Sequence, residues 1–273
     1  MKKVTCNLCF HHCCLQEGQV GFCKTRMHVD GEIKSLIYGK ITSMALDAIE
    51  KKPFQQFYPG SKILSVGSSG CSMRCPFCQN YQISMETDTY FRMMTPEELI
   101  NIALELEEKG NIGLAFTYNE PMLSFEYMKD CFQLAKQKGL KTAIISNGMI
   151  EEGYLKELLP YVDAMNIDLK CFHEQGYQWL QGSFEQVKHT IAYSYPQVHV
   201  EITSLIVPSL NDDIEDMRQQ CQWIASLDPM IPLHISRYFP AYHMHQQATD
   251  LQVIHDLVAC AKQYLKNVYK GNC

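Results

Sequence analysis

The sequence predicts an α/β fold, a parallel sheet covered by helices, with a small cysteine-rich lobe in front of it. Three observations carry this. From Lys62 onward, short runs rich in β-branched residues alternate with longer helical stretches, the rhythm of βα units. The helical stretches carry their own start and stop signals. Residues 1 to about 60 lack the rhythm and crowd Cys6, Cys9, Cys13, Cys14 and Cys23 among short apolar pieces.

The elements follow in order. "KILSV" (62–66) is a strand that runs into the loop "GCSMRCPFC" (70–78). In "TPEELINIALELEEKG", Thr95 caps a helix, Pro96 suits its first turn and Glu98 completes a capping box. "NIGLAFTY" (111–118) is a strand, and "SFEYMKDCFQLAKQKG" a helix closed by Gly139. "KTAIIS" (141–146), "AMNIDLK" (164–170), "VHVEITSLIV" (198–207) and "IPLHISRYF" (231–239) read as strands. Helices "EEGYLKELLPYV", "FEQVKHTIAYSY" and "DIEDMRQQCQWIASLD" separate them. A last helix from Leu251 puts Ile254, Leu257, Val258, Ala261 and Leu265 on one face, and "VYKG" is a final short strand. Six or seven such units fit an open doubly wound sheet or an incomplete barrel, and periodicity does not separate them. Both gather their sites at the C-terminal strand ends.

At 273 residues we divide the chain into a lobe (1–60) and the α/β domain (61–273). A net charge of −6 offers no basic footprint and argues against nucleic acid as a partner. No apolar run, that near Leu205 to Val207 included, is long enough to span a bilayer, and the chain enters Cys6 without an apolar leader, so the expectation is cytoplasmic, with no membrane partner. In that reducing setting, clustered cysteines among the thirteen present bind metal or do redox work. Cys131, Cys221 and Cys260 fall in helical patterns and read as small core residues.

Cys71, Cys75 and Cys78 place three thiols on one loop. Structural zinc wants four ligands in separated pairs, and a redox pair leaves Cys71 unexplained. Iron–sulfur clusters accept short, irregular spacings of this kind. Three thiolates on a four-iron cluster leave one iron for a ligand that is not protein.

With an aromatic, Phe77, before its last cysteine and a strand before its first, this loop resembles the radical S-adenosylmethionine (SAM) superfamily. The resemblance runs from Lys62 to the C-terminus. It implies a partial (β/α)6 barrel, a [4Fe–4S] cluster on Cys71, Cys75 and Cys78, and SAM chelated by the fourth iron. It also implies reductive cleavage of SAM to a 5′-deoxyadenosyl radical that abstracts hydrogen, with a ferredoxin or flavodoxin as reductant. Asn119 and Glu120 in "TYNEP" match the stretch that binds the methionyl amino group, and Phe77 is placed beside the adenine. Ser146 and Asn147 are candidates for the ribose or carboxylate, Asp168 and Lys170 face the barrel interior, and Thr203 and Arg237 complete the candidate set. Each has a plainer reading: a solvated carboxylate at Glu120, a turn at "SNG", a structural ion pair at Asp168 and Lys170, a surface arginine at Arg237.

The segments "IEKKPFQQFYPGSKILSVGSSGCSMRCPFCQN", "TYNEP", "IDLK", "PSLND" and "HISRYFPAY" are similar to the group around pyruvate formate-lyase activating enzyme, and within it to the AmmeMemoRadiSam-system enzymes. That likeness implies an activase acting on a backbone glycine of a protein partner. A radical enzyme modifying a small molecule, RNA or protein side chain is the alternative, and a non-catalytic iron–sulfur electron carrier a third. Cys6-x2-Cys9-x3-Cys13-x9-Cys23 supplies four more thiols, with Cys14, His11 and His12 as substitutes. Zinc and a second iron–sulfur cluster both fit, and the single CxxC knuckle favours zinc.

Overall fold

The computed structural model describes residues 2–86 and 89–273. Its centre is an eight-stranded sheet. The strands are β1 (Ser43–Ala48), β2 (Lys62–Gly67), β3 (Asn111–Phe116), β4 (Lys141–Ser146), β5 (Ala164–Asp168), β6 (His199–Ile206), β7 (Leu233–Arg237) and β8 (Val268–Gly271). They lie side by side in chain order; β2 to β8 run parallel, and β1 pairs antiparallel with β2. A doubly wound sheet reverses its strand order at a switch point. This one never does, so of the two topologies left open the barrel is correct. Among the described residues β1 and β8 do not pair, and the barrel is incomplete.

Six helices cover the outside: α1 (Pro96–Glu105), α2 (Phe125–Gln137), α3 (Glu152–Leu158), α4 (Phe184–Ser194), α5 (Ile214–Leu227) and α6 (Leu251–Ala261). The capping box at α1 is complete. Thr95 Oγ1 accepts from the Glu98 N–H at 3.2 Å, and the Glu98 carboxylate accepts from the Thr95 N–H at 2.8 Å. Cys131, Cys221 and Cys260 are buried on the inner faces of α2, α5 and α6. No helix among the described residues is long and apolar enough to cross a membrane.

Strand alternation sends Leu64, Val66, Leu114, Phe116, Ile144, Met165 and Ile167 outward under the helices. The inner face carries Ile63, Ala115, Ala143 and Ala164, packed on Ile49, Phe54 and Phe57 from the segment between β1 and β2. Three alanines at inward positions leave the room that two phenylalanines fill. Glu201 of β6 anchors this plug: its carboxylate accepts from the Gln55 N–H at 3.0 Å, the Gln56 N–H at 2.9 Å, His199 Nε2 at 2.9 Å and His234 Nε2 at 2.6 Å. Burial alone would push that carboxyl up; the His199, His234 and backbone donors outweigh it and hold its pKa at about 2.

The cysteine-rich region contains a hairpin, Arg26–Val29 with Glu32–Ser35, and a short pair, Val4–Thr5 with Cys14–Leu15. Composition places residues 1–60 in one lobe, yet from Ser43 onward the chain is sheet edge and barrel filling. The reason is physical: β2 would otherwise present an unpaired edge, and the barrel floor would be empty.

Candidate active site

The site is built on the loop that leaves β2. Gly70 has φ +87°, and a Cβ there would stand 2.3 Å from Thr25 Cγ2 and 2.7 Å from the Cys23 carbonyl oxygen. Only glycine lets the cysteine loop pass this close to the N-terminal region. The Arg74 guanidinium then pins the turn, donating to the carbonyls of Cys71 at 2.9 Å and Met73 at 2.8 Å.

At the C-terminal strand ends, Cys71, Cys75 and Cys78 line a cavity of about 250 Å³ together with Phe77, Asn119, Glu120, Asn147, Asp168 and Lys170. Four strand-end loops therefore converge there, from β2, β3, β4 and β5. A larger groove of about 640 Å³ lies elsewhere, between Tyr38 and the α1–α2 face, and none of the sequence-derived candidates lines it.

Glu120 is buried, and its carboxylate accepts from Ser146 Oγ at 2.8 Å, the Asn147 N–H at 2.8 Å and the Met122 N–H at 3.0 Å. Burial pushes its pKa up to about 7 in spite of these donors, with Asp168 adding to the rise. Asn119 braces the cysteine loop: its Oδ1 accepts from the Ser68 N–H at 2.9 Å, and its Nδ2 donates to the carbonyls of Ser69 at 3.0 Å and Gly70 at 3.2 Å. Asn147 Nδ2 donates to Ser72 Oγ at 3.2 Å and reaches Cys71 Sγ at 3.6 Å. Lys170 Nζ pairs with Asp168 at 2.8 Å. Burial pulls the Lys170 ammonium down, but the Asp168 carboxylate outweighs it and holds it above its ordinary value. Burial raises all three loop thiols, Cys75 to about 12, so bare sulfurs here stay protonated until a metal takes the proton's place. The Phe77 ring is buried, edge-on to Tyr238 at 6.4 Å and 6.3 Å from Trp179.

Three candidates sit apart. Ser146 stands one layer behind the cavity wall, bonded to Glu120. Thr203 is on the inner face but lower, donating to Asn166 Oδ1 at 2.8 Å. Arg237 has the opposite strand parity from His234 and Ser236, and its Nε donates to the Thr249 carbonyl at 2.7 Å. Cys6, Cys9, Cys13 and Cys23 do not line this cavity, and the Cys23 carbonyl abuts Gly70 at the start of the loop.

Sequence reasoning missed Tyr118, Asp47 and Lys52. Tyr118 lines the cavity with φ +72°, its hydroxyl donates to Asp47 at 2.6 Å, and the buried Lys52 bonds Asp47 at 2.7 Å and lies 4.2 Å from the tyrosine ring centroid. Strain of this kind on a non-glycine residue collects at functional sites. Its only trace in the sequence is the tyrosine of "TYNEP"; nothing marks Asp47.

An incomplete parallel barrel gathers three thiols, a buried carboxyl and an ion pair at its strand ends, a donor set of the kind that iron–sulfur clusters accept. The family model of the radical SAM superfamily matches residues 65–221, and the chain belongs to that superfamily. An uncharacterized protein of Methanocaldococcus jannaschii is 36% identical, over 99% of this chain and 81% of its own. The pyruvate formate-lyase-activating enzyme of Clostridium pasteurianum is 27% identical over 58% of this chain and 67% of its own. Among solved structures, Streptococcus suis SuiB bound to S-adenosylmethionine shares the fold, with a TM-score of 0.62 at 15% identity over 77% of this chain and 52% of that one. The chain is thus a radical SAM enzyme, of a superfamily whose cofactors are a [4Fe–4S] cluster and SAM. The donor set fits both: soft thiols for iron, and beside them buried charges of either sign for a zwitterion.

Proposed function

We propose that the chain is an activating enzyme of the pyruvate formate-lyase-activase type, in the AmmeMemoRadiSam group, that takes a hydrogen atom from a glycine of a protein partner. The observation that carries it is the convergence of Cys71, Cys75, Cys78, Glu120, Asp168 and Lys170 on one cavity at the strand ends. The names of relatives support the choice of class: the Clostridium pasteurianum protein above, and a putative glycyl-radical enzyme activating enzyme of Methanocaldococcus jannaschii, 27% identical over 68% of this chain.

Each residue has a part. Cys71, Cys75 and Cys78 ligate three irons. Glu120, with a pKa near neutrality, and the region held by Asn119 face the methionyl amino group, while Lys170 grips the carboxylate. Asn147, Ser146 and Phe77 position the remainder, and Asp168 keeps Lys170 oriented. Thr203 and Arg237 support the wall from below and outside. When bound, the cluster and SAM supply one-electron, hydrogen-abstracting chemistry. The protein orients them and keeps water from them. The reductant is a ferredoxin or flavodoxin, the setting the cytoplasm, and the division a cysteine-rich lobe ahead of a barrel that starts at Ser43.

The test is electron paramagnetic resonance of a partner trapped by anaerobic co-purification, after incubation with the reduced protein and SAM. A glycine-centred doublet that disappears without SAM is expected. Formation of 5′-deoxyadenosine with the radical never reaching a protein, and a small molecule or RNA altered instead, would sink the activase reading.

A further inference from the structure

Cys6, Cys9, Cys13 and Cys23 play no part in the site above, yet the chain brings them together. The Val4–Thr5 and Cys14–Leu15 strands pair, and the Cys6 N–H donates to the Cys13 carbonyl at 2.9 Å. A turn closed by the Lys24 N–H on the Gly21 carbonyl, at 2.9 Å, returns Cys23 to the group. Cys6, Cys9 and Cys23 are buried.

We propose that these four thiolates hold a second [4Fe–4S] cluster, packed directly behind the loop of the first. The inference rests on the loop reading for its comparison, and four observations carry it. First, two sulfurs already receive donors: Phe22 N–H to Cys13 Sγ at 3.4 Å and Thr25 Oγ1 to Cys23 Sγ at 3.2 Å. Hydrogen bonds to sulfur are one of the ways a protein tunes such a cluster. Second, Arg26 is 3% exposed and within Coulombic reach of Cys6 and Cys23. Its two terminal nitrogens engage Glu126, but Nε has no partner. A buried cation with a free N–H near the Cys6 and Cys23 sulfurs calls for an anionic acceptor, and a thiolate-bound cluster with its inorganic sulfides is one.

Third, the four thiols stand close enough to feel one another's charge: Cys9 lies within Coulombic reach of Cys6, Cys13 and Cys23, and Cys6 within reach of Cys13 and Cys23. Thiolates that repel one another in a buried place call for a cationic centre shared among them. Fourth, the two sets share a wall. His11 Nε2 bonds the Ser72 carbonyl at 2.8 Å, the Arg74 guanidinium stacks 3.9 Å from the Phe22 ring centroid, and the Cys23 carbonyl abuts Gly70.

The experiment is a count of iron, sulfide and zinc after anaerobic reconstitution with ferrous iron and sulfide. Wild type should hold about eight irons, and the Cys71→Ala/Cys75→Ala/Cys78→Ala variant about four, with the spectrum of a reduced four-iron cluster intact. In that variant only the N-terminal cysteines can answer, so the result is independent of whether SAM is cleaved. Cys9→Ser/Cys23→Ser should also fall to about four irons. Wild type with about four irons, whether accompanied by one zinc or by none, overturns the proposal, as does a loop variant that binds no iron.

Discussion

Lys170 is the residue on which the site's electrostatics turn, because its ammonium pairs with Asp168 at 2.8 Å in the cavity that the three loop thiols line. Lys170→Met should weaken SAM retention at least tenfold, about 1.4 kcal/mol, while iron content stays unchanged. Equilibrium binding to the reconstituted protein measures this, and undiminished affinity would remove Lys170 from the binding machinery. Cys131→Ala is the contrast. That thiol is buried under α2, far in sequence and role from the loop, so the variant should keep its iron and cost about 1 kcal/mol in denaturant unfolding. At this scale the sequence was informative wherever residues sit close along the chain. Spacing sorted the loop and N-terminal cysteines from the helical ones, and "NIDLK" put Asp168 and Lys170 on one face. It was silent on Asp47 and Lys52, which reach Tyr118 only through the pairing of β1 with β2. Arg237 shows the same limit: at a strand's end, one residue of parity decides whether a side chain enters the barrel.

The cysteine loop works as an element only if it can lie against the Thr25–Cys23 backbone, and Gly70 permits that. Gly70→Ala combines a left-handed φ with contact against a carbonyl oxygen that cannot step aside. It should cost about 1–3 kcal/mol and lift the N-terminal region from the loop. Limited proteolysis would then cut before residue 42 in the variant and spare the wild type; equal resistance would show that the contact is soft. The long elements were legible for local reasons. Capping signals fixed the start of α1, and "KTAIIS" and "VYKG" match β4 and β8 residue for residue. The strands at 26–29, 32–35 and 43–48 lie ahead of the βα rhythm, and their partners, not their composition, make them strands. Nothing local in "KKPFQQFYPG" shows that its two phenylalanines pack inside a barrel, because sequence alone does not close the barrel.

For the molecule as a whole, stability at low pH should depend on the plug. Glu201 has a pKa of about 2 in the folded chain against an ordinary 4.5. Its contribution, about 3 kcal/mol, is complete above about pH 4.5 and is lost as pH falls from there through about 2. Glu201→Gln should therefore be less stable than wild type at pH 6, and the gap should close towards pH 3; denaturant titrations across that range, with the same deficit at every pH, would contradict this. Barrel order was the one global feature the pattern of elements could not give, since βα alternation serves open and closed sheets alike. On this reading the barrel brings three thiols to one cavity so that SAM is cleaved there. The direct measurement is 5′-deoxyadenosine released when the anaerobically reconstituted protein is reduced in the presence of SAM. The wild type should form it and Cys75→Ala should not, with the barrel's circular dichroism retained. A wild type that carries its cluster and forms none, or a Cys75→Ala variant that still does, would show that the loop thiols do not serve SAM cleavage.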